Sequence, residues 1–374
     1  MNRDVYRCAV LSVAKHAYVP RGVAAHPRCE LVVVADDASE PAWVHERNQR
    51  LADEFEVPYI RDVARALREF DVQIAVVSPA AERHCDLSIR AAQAGLHVVQ
   101  DKPLSDRLSE CDRLVAAIDQ AGVKFLMWNR NLLPAVCQAR DVIRSGALGP
   151  LRAIHCDFYF SKDAGPPRGS RRASDPPLDW LTHQIAAHAD GSDGGLGHTP
   201  LGELQIEGIY PLAYLHMLTG GAKVERVFAR TASFFHQLNV DNHVDDLATV
   251  TLEMNADSGR RPILGTLCIG RIGAASHPDI GEIKLHVLGE NGALVVCESR
   301  PEVAVYYRQQ PAAEFRHRRQ AIDMDYLLME NFLAAIETGS PTIVDHHVGR
   351  AIAATVEAAL ASSRTGQPVR VDHL

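Results

Sequence analysis

The sequence predicts an α/β protein in two domains. A doubly wound parallel sheet is expected over residues 1–127, then an α+β domain over residues 128–374 built on a large, mainly antiparallel open sheet. Three observations lead there. Short apolar runs alternate with helix-length segments up to Trp128, as strands and crossover helices do. Beyond Trp128, strand-like stretches follow one another with few helices between them, which implies antiparallel neighbours. At 374 residues the chain is also too long for one ordinary core.

Arg7 to Ala14 (RCAVLSVA) and Glu30 to Ala35 (ELVVVA) read as strands, the second apolar throughout as a buried parallel sheet requires. A turn and a helix-length segment separate them, so the chain opens with a strand, helix, strand unit ending at Asp36. Polar helices follow at Arg47 to Glu56 and Ala64 to Arg68, and Val72 to Val77 is a third or fourth strand stopped by Ser78-Pro79. Asp86 to Ala94 has helical spacing, with Gly95 in the C-cap position. Leu96 to Val99 is a strand, Ser109 to Ala121 a helix and Lys124 to Trp128 a strand, within a domain expected to hold six.

The period then changes. Pro134 to Arg144 reads as a helix closed by Gly146, and Leu151 to Phe160 alternates as a half-exposed strand does. Further strands are expected at Val224 to Phe235, Leu247 to Met254, Ile263 to Ile269, Glu282 to Leu288, Ala293 to Val296 and Val303 to Tyr307, with Gly289 to Gly292 (GENG) as a hairpin turn. Helices at Tyr326 to Glu337 and Val348 to Arg364 can cover one face of that sheet. The irregular stretch Ser161 to Gly202 is long enough to suggest a functional loop.

Composition narrows the partners. A formal net charge of -8 leaves no basic excess to displace counterions, so no nucleic acid is expected. The short basic runs Arg168 to Arg172 and Arg316 to Arg319 read as solvated or inter-subunit faces. Eight scattered cysteines without a CxxC pair suit reduced thiols in a cytoplasmic protein. The apolar run Cys8 to Ala14 is too short for a membrane span and makes a poor secretory signal, so no membrane is expected.

The stretch Gly95 to Leu104 (GLHVVQDKPL) runs a strand into a loop carrying Asp101, Lys102 and Pro103. Ligands of open α/β sheets bind beyond the carboxyl ends of the strands, which puts Lys102 in the functional crevice. The first βα turn should cradle a dinucleotide pyrophosphate. It reads Ser12-Val13-Ala14-Lys15-His16-Ala17 where a fingerprint would place three glycines, although Ser12, Ala14 and Ala17 keep much of the room. Asp36, at the end of the second strand beside Asp37 and with no arginine adjacent in sequence, suits hydrogen bonds from an adenosine ribose and repels a 2′-phosphate, favouring NAD over NADP. Downstream, Pro211 fits the first turn of a helix and puts Tyr210 at its N-terminal end, where a phenol paired with a lysine makes a proton-transfer device or simply packs its ring. His183, His188 and His198, with Asp190 and Asp193, match no common ligand spacing, so no metal is expected; a substrate contact from this loop is.

The chain resembles the Gfo/Idh/MocA family of oxidoreductases. Val76 to His84 (VVSPAAERH) is similar to its Thr/Ser-Pro-Asn strand end, and Gln100 to Leu104 (QDKPL) to its Glu-Lys-Pro-Leu signature. Asn129 to Pro134 (NRNLLP) and Arg140 to Gly149 (RDVIRSGALG) resemble its entry to the second domain. Asp245-Asp246 before LATVTL, the GENGAL hairpin, and Asn331 to Gly339 with Ser362 to Val369 resemble its later strands and closing helices.

The resemblance implies a Rossmann domain holding NAD(P), and a second domain whose open sheet mediates a homo-oligomer, a dimer or tetramer. It implies cofactor contacts from Ser12, Val13, Ala14, Lys15, His16, Asp36, Asp37, Ser78, Pro79, His84, Asp101, Lys102 and Asn129. Lys102 and Tyr210 inherit the catalytic roles, and Lys102, Asn131, Tyr210 and His183 the substrate contacts. The expected reaction passes hydride between a nicotinamide and a polyhydroxylated substrate such as a sugar, inositol or glycoside. Two departures stand out: the missing fingerprint glycines, and Ile206 where the family has an aspartate, with Glu207 one residue late. They leave two alternatives open, a non-catalytic dinucleotide or sugar sensor and a redox-neutral glycoside-converting enzyme with bound NAD.

Overall fold

The apolar runs without polar alternation form strands of a parallel sheet, and the first of them sits near its centre. The structure, a computed structural model, describes residues 5–14, 16–160, 200–235, 237–255, 261–271, 282–297, 302–307, 314–318 and 323–371. It divides into one unit of Met1–Asn129 with Asp323–Ala353, and a second of Arg130–Ile322 with Ala354–Leu374.

In the first unit the strands are β1 (Tyr6–Val13), β2 (Cys29–Ala35), β3 (Tyr59–Ile60), β4 (Ile74–Ser78), β5 (His97–Gln100) and β6 (Phe125–Met127). They lie in the order β3-β2-β1-β4-β5-β6, every pair parallel. Helices α1 (Tyr18–Ala24), α2 (Ala42–Glu54), α3 (Val63–Glu69), α4 (His84–Gln93) and α5 (Leu108–Ala121) make the crossovers. The strand order reverses beside β1, so the carboxyl ends of β1 and β4 flank the switch point where such sheets take ligands. Helix α2 begins at Ala42, ahead of the expected Arg47, with Pro41 extended at its N-cap and Val44 of its first turn already buried.

The second unit holds α6 (Pro134–Arg144), β7 (Leu151–Phe160), α7 (Glu203–Ile206), α8 (Ile209–Leu218), β8 (Lys223–Ala232), α9 (Gln237–Asn242), β9 (Leu247–Asn255) and β10 (Ile263–Arg271). Then come β11 (Glu282–Gly289), β12 (Gly292–Cys297), β13 (Glu302–Tyr307), β14 (Glu314–Arg318) and, near the C-terminus, β15 (Val369–Arg370). The sheet order is β14-β13-β12-β11-β7-β10-β9-β8-β15, antiparallel except for the parallel pair β7 and β10. Along β9 burial alternates with period two, one face inward and one outward, as an open sheet requires.

The two closing helices, α10 (Met324–Thr338) and α11 (His346–Thr365), do not both cover that sheet as the sequence suggested. Residues 323–353 belong to the first unit. The reason is edge satisfaction. The Met127 amide of β6 donates to Val344 O at 3.0 Å and the Thr342 hydroxyl to Phe125 O at 2.6 Å, so the returning segment closes the open edge of the parallel sheet. A hydrogen bond between His26 Nε2 and Glu330 Oε1 at 2.9 Å fixes α10 to the same unit. From Ala354 onward α11 serves the second unit, where Ser362 Oγ accepts the Ala229 amide at 3.0 Å.

Candidate functional site

The turn after β1 takes a conformation that glycine usually supplies. Ser12 has φ of 64°, in the left-handed region, and its Oγ is buried with no hydrogen-bond partner among the described residues. The next two amides are committed internally, Val13 N–H to Asn48 Oδ1 at 2.9 Å and Ala14 N–H to Ser78 O at 3.0 Å. A side chain at the glycine position thus brings its own donor, a buried hydroxyl without a partner. That fits a polar group laid over the turn, so the loss of glycine does not by itself close a dinucleotide site. Lys15 lies outside the described residues.

Asp101, just past β5, ties three strand ends together. Its Oδ2 is 2.6 Å from His16 Nδ1 and accepts from Ser78 Oγ at 3.3 Å, while its Oδ1 accepts the Lys102 amide at 2.8 Å. Burial alone would raise the carboxyl; His16, His84 and Lys102 outweigh it and hold Asp101 down at about 2. Lys102 is 3% exposed and begins a cis Lys102–Pro103 peptide. His84, opening α4, sets its Nδ1 2.6 Å from Pro103 O and its Nε2 3.3 Å from Pro79 O, so it spans the β4 and β5 loops. Asn129 is buried beyond β6, its Nδ2 donating to Met127 O at 2.7 Å.

Asp36 is fully buried at the end of β2, and its carboxylate is engaged. It accepts the Asp37 amide at 2.8 Å, Asn48 Nδ2 at 3.1 Å and Arg83 Nη1 at 2.9 Å. Arg83 also reaches Asp37 at 3.1 Å and Glu40 at 3.0 Å, and Arg90 makes a two-pronged pair with Asp37 at 2.7 and 3.0 Å. The Arg90 hydrogen bonds hold the Asp37 carboxyl below its usual range, while burial pushes Glu40 up. Sequence adjacency had shown no arginine here, yet two stand beside the aspartates. The available signal was their spacing: Arg90 lies in α4 and Arg83 seven residues earlier, in the 3-10 turn that leads into it, about two helical turns apart.

Of the remaining predicted residues, Tyr210 and Asn131 fall in the second unit. Tyr210 is the second residue of α8, 8% exposed, with the Arg130 guanidinium 5.4 Å above its ring and the Phe158 ring edge-on at 6.3 Å. Asn131 donates from Nδ2 to Ala213 O at 3.0 Å, bracing the middle of the same helix. Glu207 turns toward Arg271, at 3.9 Å, and Arg271 is buried against Glu203. His183, His188, His198, Asp190 and Asp193 lie outside the described residues.

Residues 12–129 match the domain described as the oxidoreductase family's NAD-binding Rossmann fold, GFO_IDH_MocA, and residues 198–371 match that family's C-terminal α/β domain. Among curated relatives, trans-1,2-dihydrobenzene-1,2-diol dehydrogenase of Bos taurus is 28% identical over 230 residues, 61% of this chain and 58% of that protein. The dTDP-3,4-didehydro-2,6-dideoxy-alpha-D-glucose 3-reductase of Streptomyces violaceoruber is 28% identical over 201 residues, 53% and 49% of the two chains. The match therefore spans about half the length of these relatives. Among solved structures, an oxidoreductase from Agrobacterium radiobacter in complex with NAD+, L-tartaric acid and magnesium superposes with a TM-score of 0.78, at 14% identity over 98% of this chain and 99% of that one.

Proposed function

Because the chain belongs to the Gfo/Idh/MocA oxidoreductase family, we propose that it is an NAD-preferring dehydrogenase or reductase acting on a polyhydroxylated substrate such as a sugar, inositol or glycoside. The observation that carries this reading is the Asp101 hub. One carboxylate joins the turn after β1, through His16, to the backbone of Lys102 at the end of β5. This link supports a pyrophosphate place and a reacting-group place at the same end of one sheet. The diol dehydrogenase and the dTDP-sugar reductase among the relatives support a ring alcohol or its ketone as substrate.

Bound NAD supplies the hydride acceptor or donor. The chain's own residues do the rest. Lys102, almost fully buried, holds an ammonium at the strand end, where it stabilises alkoxide character on the reacting oxygen. Tyr210 exchanges the proton, with the Arg130 guanidinium lying over its ring. Ser12 Oγ gives the turn a donor for a phosphate oxygen. Preference for NAD follows from charge. Asp36, Asp37 and Glu40 are three carboxylates against two guanidiniums, an acidic corner unfavourable to a 2′-phosphate.

Titration of the purified protein with NADH and NADPH, followed by nicotinamide fluorescence, tests the reading. Tight NADH and weak NADPH binding is expected. Absence of binding by either would sink it and leave a sensor or scaffold on the same fold.

A further inference from the structure

Helix α11 opens on two adjacent histidines, and both imidazoles turn onto one carboxylate of α5. Asp345 caps the helix, its Oδ1 accepting the Val348 amide at 2.9 Å, which sets His346 and His347 in the first turn. His346 Nε2 lies 2.8 Å and His347 Nε2 3.2 Å from the same atom, Oδ1 of Asp119. The two rings lie with centroids 4.2 Å apart, tilted 37° to one another. Three potential ligand atoms, two imidazole nitrogens and one carboxylate oxygen, thus lie within 4.8 Å of one another.

We propose that Asp119, His346 and His347 form a binding site for one divalent transition-metal ion of the zinc, nickel or copper type, with water completing its coordination. Bonds of about 2.0–2.1 Å in a tetrahedral arrangement separate donor atoms by about 3.3 Å, close to both nitrogen–oxygen distances seen here. The remaining adjustment falls on exposed groups: the side chain of Asp119 is 51% exposed and that of His347 is 60% exposed. His346 is held more firmly, its ring in edge contact with Phe125 at 6.1 Å. The frame is fixed a second time where Arg350, one turn further along α11, donates from Nε to Asp112 of α5 at 2.8 Å. Ligand atoms held in place before the ion arrives lose less freedom on binding it.

Donor chemistry selects the ion. Two imidazoles suit zinc, nickel and copper, each binding through a neutral Nε2 with the proton on Nδ1. Magnesium and calcium ask for oxygen and find one carboxylate. The sequence hid this site because 227 residues separate Asp119 from His346, which no local spacing rule detects. The bound ion would staple α5 to the start of α11.

Calorimetric titration of the full chain with zinc chloride at neutral pH tests this, alongside His347→Ala and Asp119→Asn, both at exposed positions. One equivalent is expected to bind the native protein, with at least about tenfold weaker binding in either variant. Zinc should raise the native melting temperature more than either variant's, and magnesium should raise neither. No saturable binding, or an isotherm unchanged in a His346→Ala/His347→Ala double variant, would overturn the site; the latter would assign the ion to thiols or other histidines.

Discussion

Arg83 holds Asp36 in an ion pair at 2.9 Å in which the aspartate side chain has no solvent exposure and the arginine 19%. The carboxylate that would meet a ribose is therefore already saturated by a guanidinium, an amide and Asn48. Removing its charge should release Arg83 Nη1 toward whatever anion lies in the corner, while Arg90 stays on Asp37. Asp36→Ser is expected to shift the NADH to NADPH affinity ratio at least about tenfold toward NADPH, a change of about 1.4 kcal/mol. Fluorescence titration of both cofactors reads it. An unchanged ratio would show that this corner does not face the ribose.

Lys102 offers a cleaner separation of chemistry from folding. Lys102→Met keeps length and apolar stem while deleting the ammonium at a site 3% exposed. Turnover on any polyol the native protein converts should fall at least about a hundredfold, with NADH affinity and the melting curve close to native. Native kinetics in the variant would remove the lysine from the mechanism.

The parallel sheet was legible because its strands are uninterrupted apolar runs, and β1, β2, β4, β5 and β6 each have a sequence counterpart. The two-residue strand β3 carries too few residues for any period. Strand-end positions such as Asp101 and Lys102 were legible for the same reason, since a strand's end fixes where its loop projects. Their partners were not. Arg83 meets Asp36 across 47 residues and His16 meets Asp101 across 85, contacts set by strand order and helix facing rather than by spacing along the chain. The return of 323–353 to the first unit was hidden likewise, because amphipathic helices state that they cover something and not what.

Asp101 gives the acid limb of stability a specific source. Its carboxyl falls from an ordinary 3.8 to about 2 in the fold. Between those values the unfolded chain holds the proton and the folded one does not. The stabilisation is thus complete above about pH 4 and is lost as pH falls toward 2. Asp101→Asn keeps the shape and should cost about 2 kcal/mol near neutrality, a difference that shrinks as pH drops through that window. Urea unfolding of both proteins across the acid range checks it. A pH-independent difference would mean that packing rather than charge is what Asp101 contributes.

Gly208 precedes Tyr210 by two residues, and the constraint on it is space. Its φ is -59°, ordinary for any residue, but a Cβ there would stand 2.2 Å from Leu204 O. A backbone oxygen within the α7 to α8 turn cannot swing aside as a side chain does, so the turn must open and carry Tyr210 with it. Gly208→Ala should therefore lose about 1–3 kcal/mol of stability and lower kcat together with it. Gly220, just past the far end of α8, is the internal comparison, with φ of 71° and nothing within 4 Å of an added Cβ. Gly220→Ala should cost about 1 kcal/mol through backbone strain alone and leave kcat unchanged. If thermal melts and steady-state rates ranked the two variants the other way, the position of Tyr210 would not depend on the close approach at Gly208, and its assignment to proton transfer would lose its structural support.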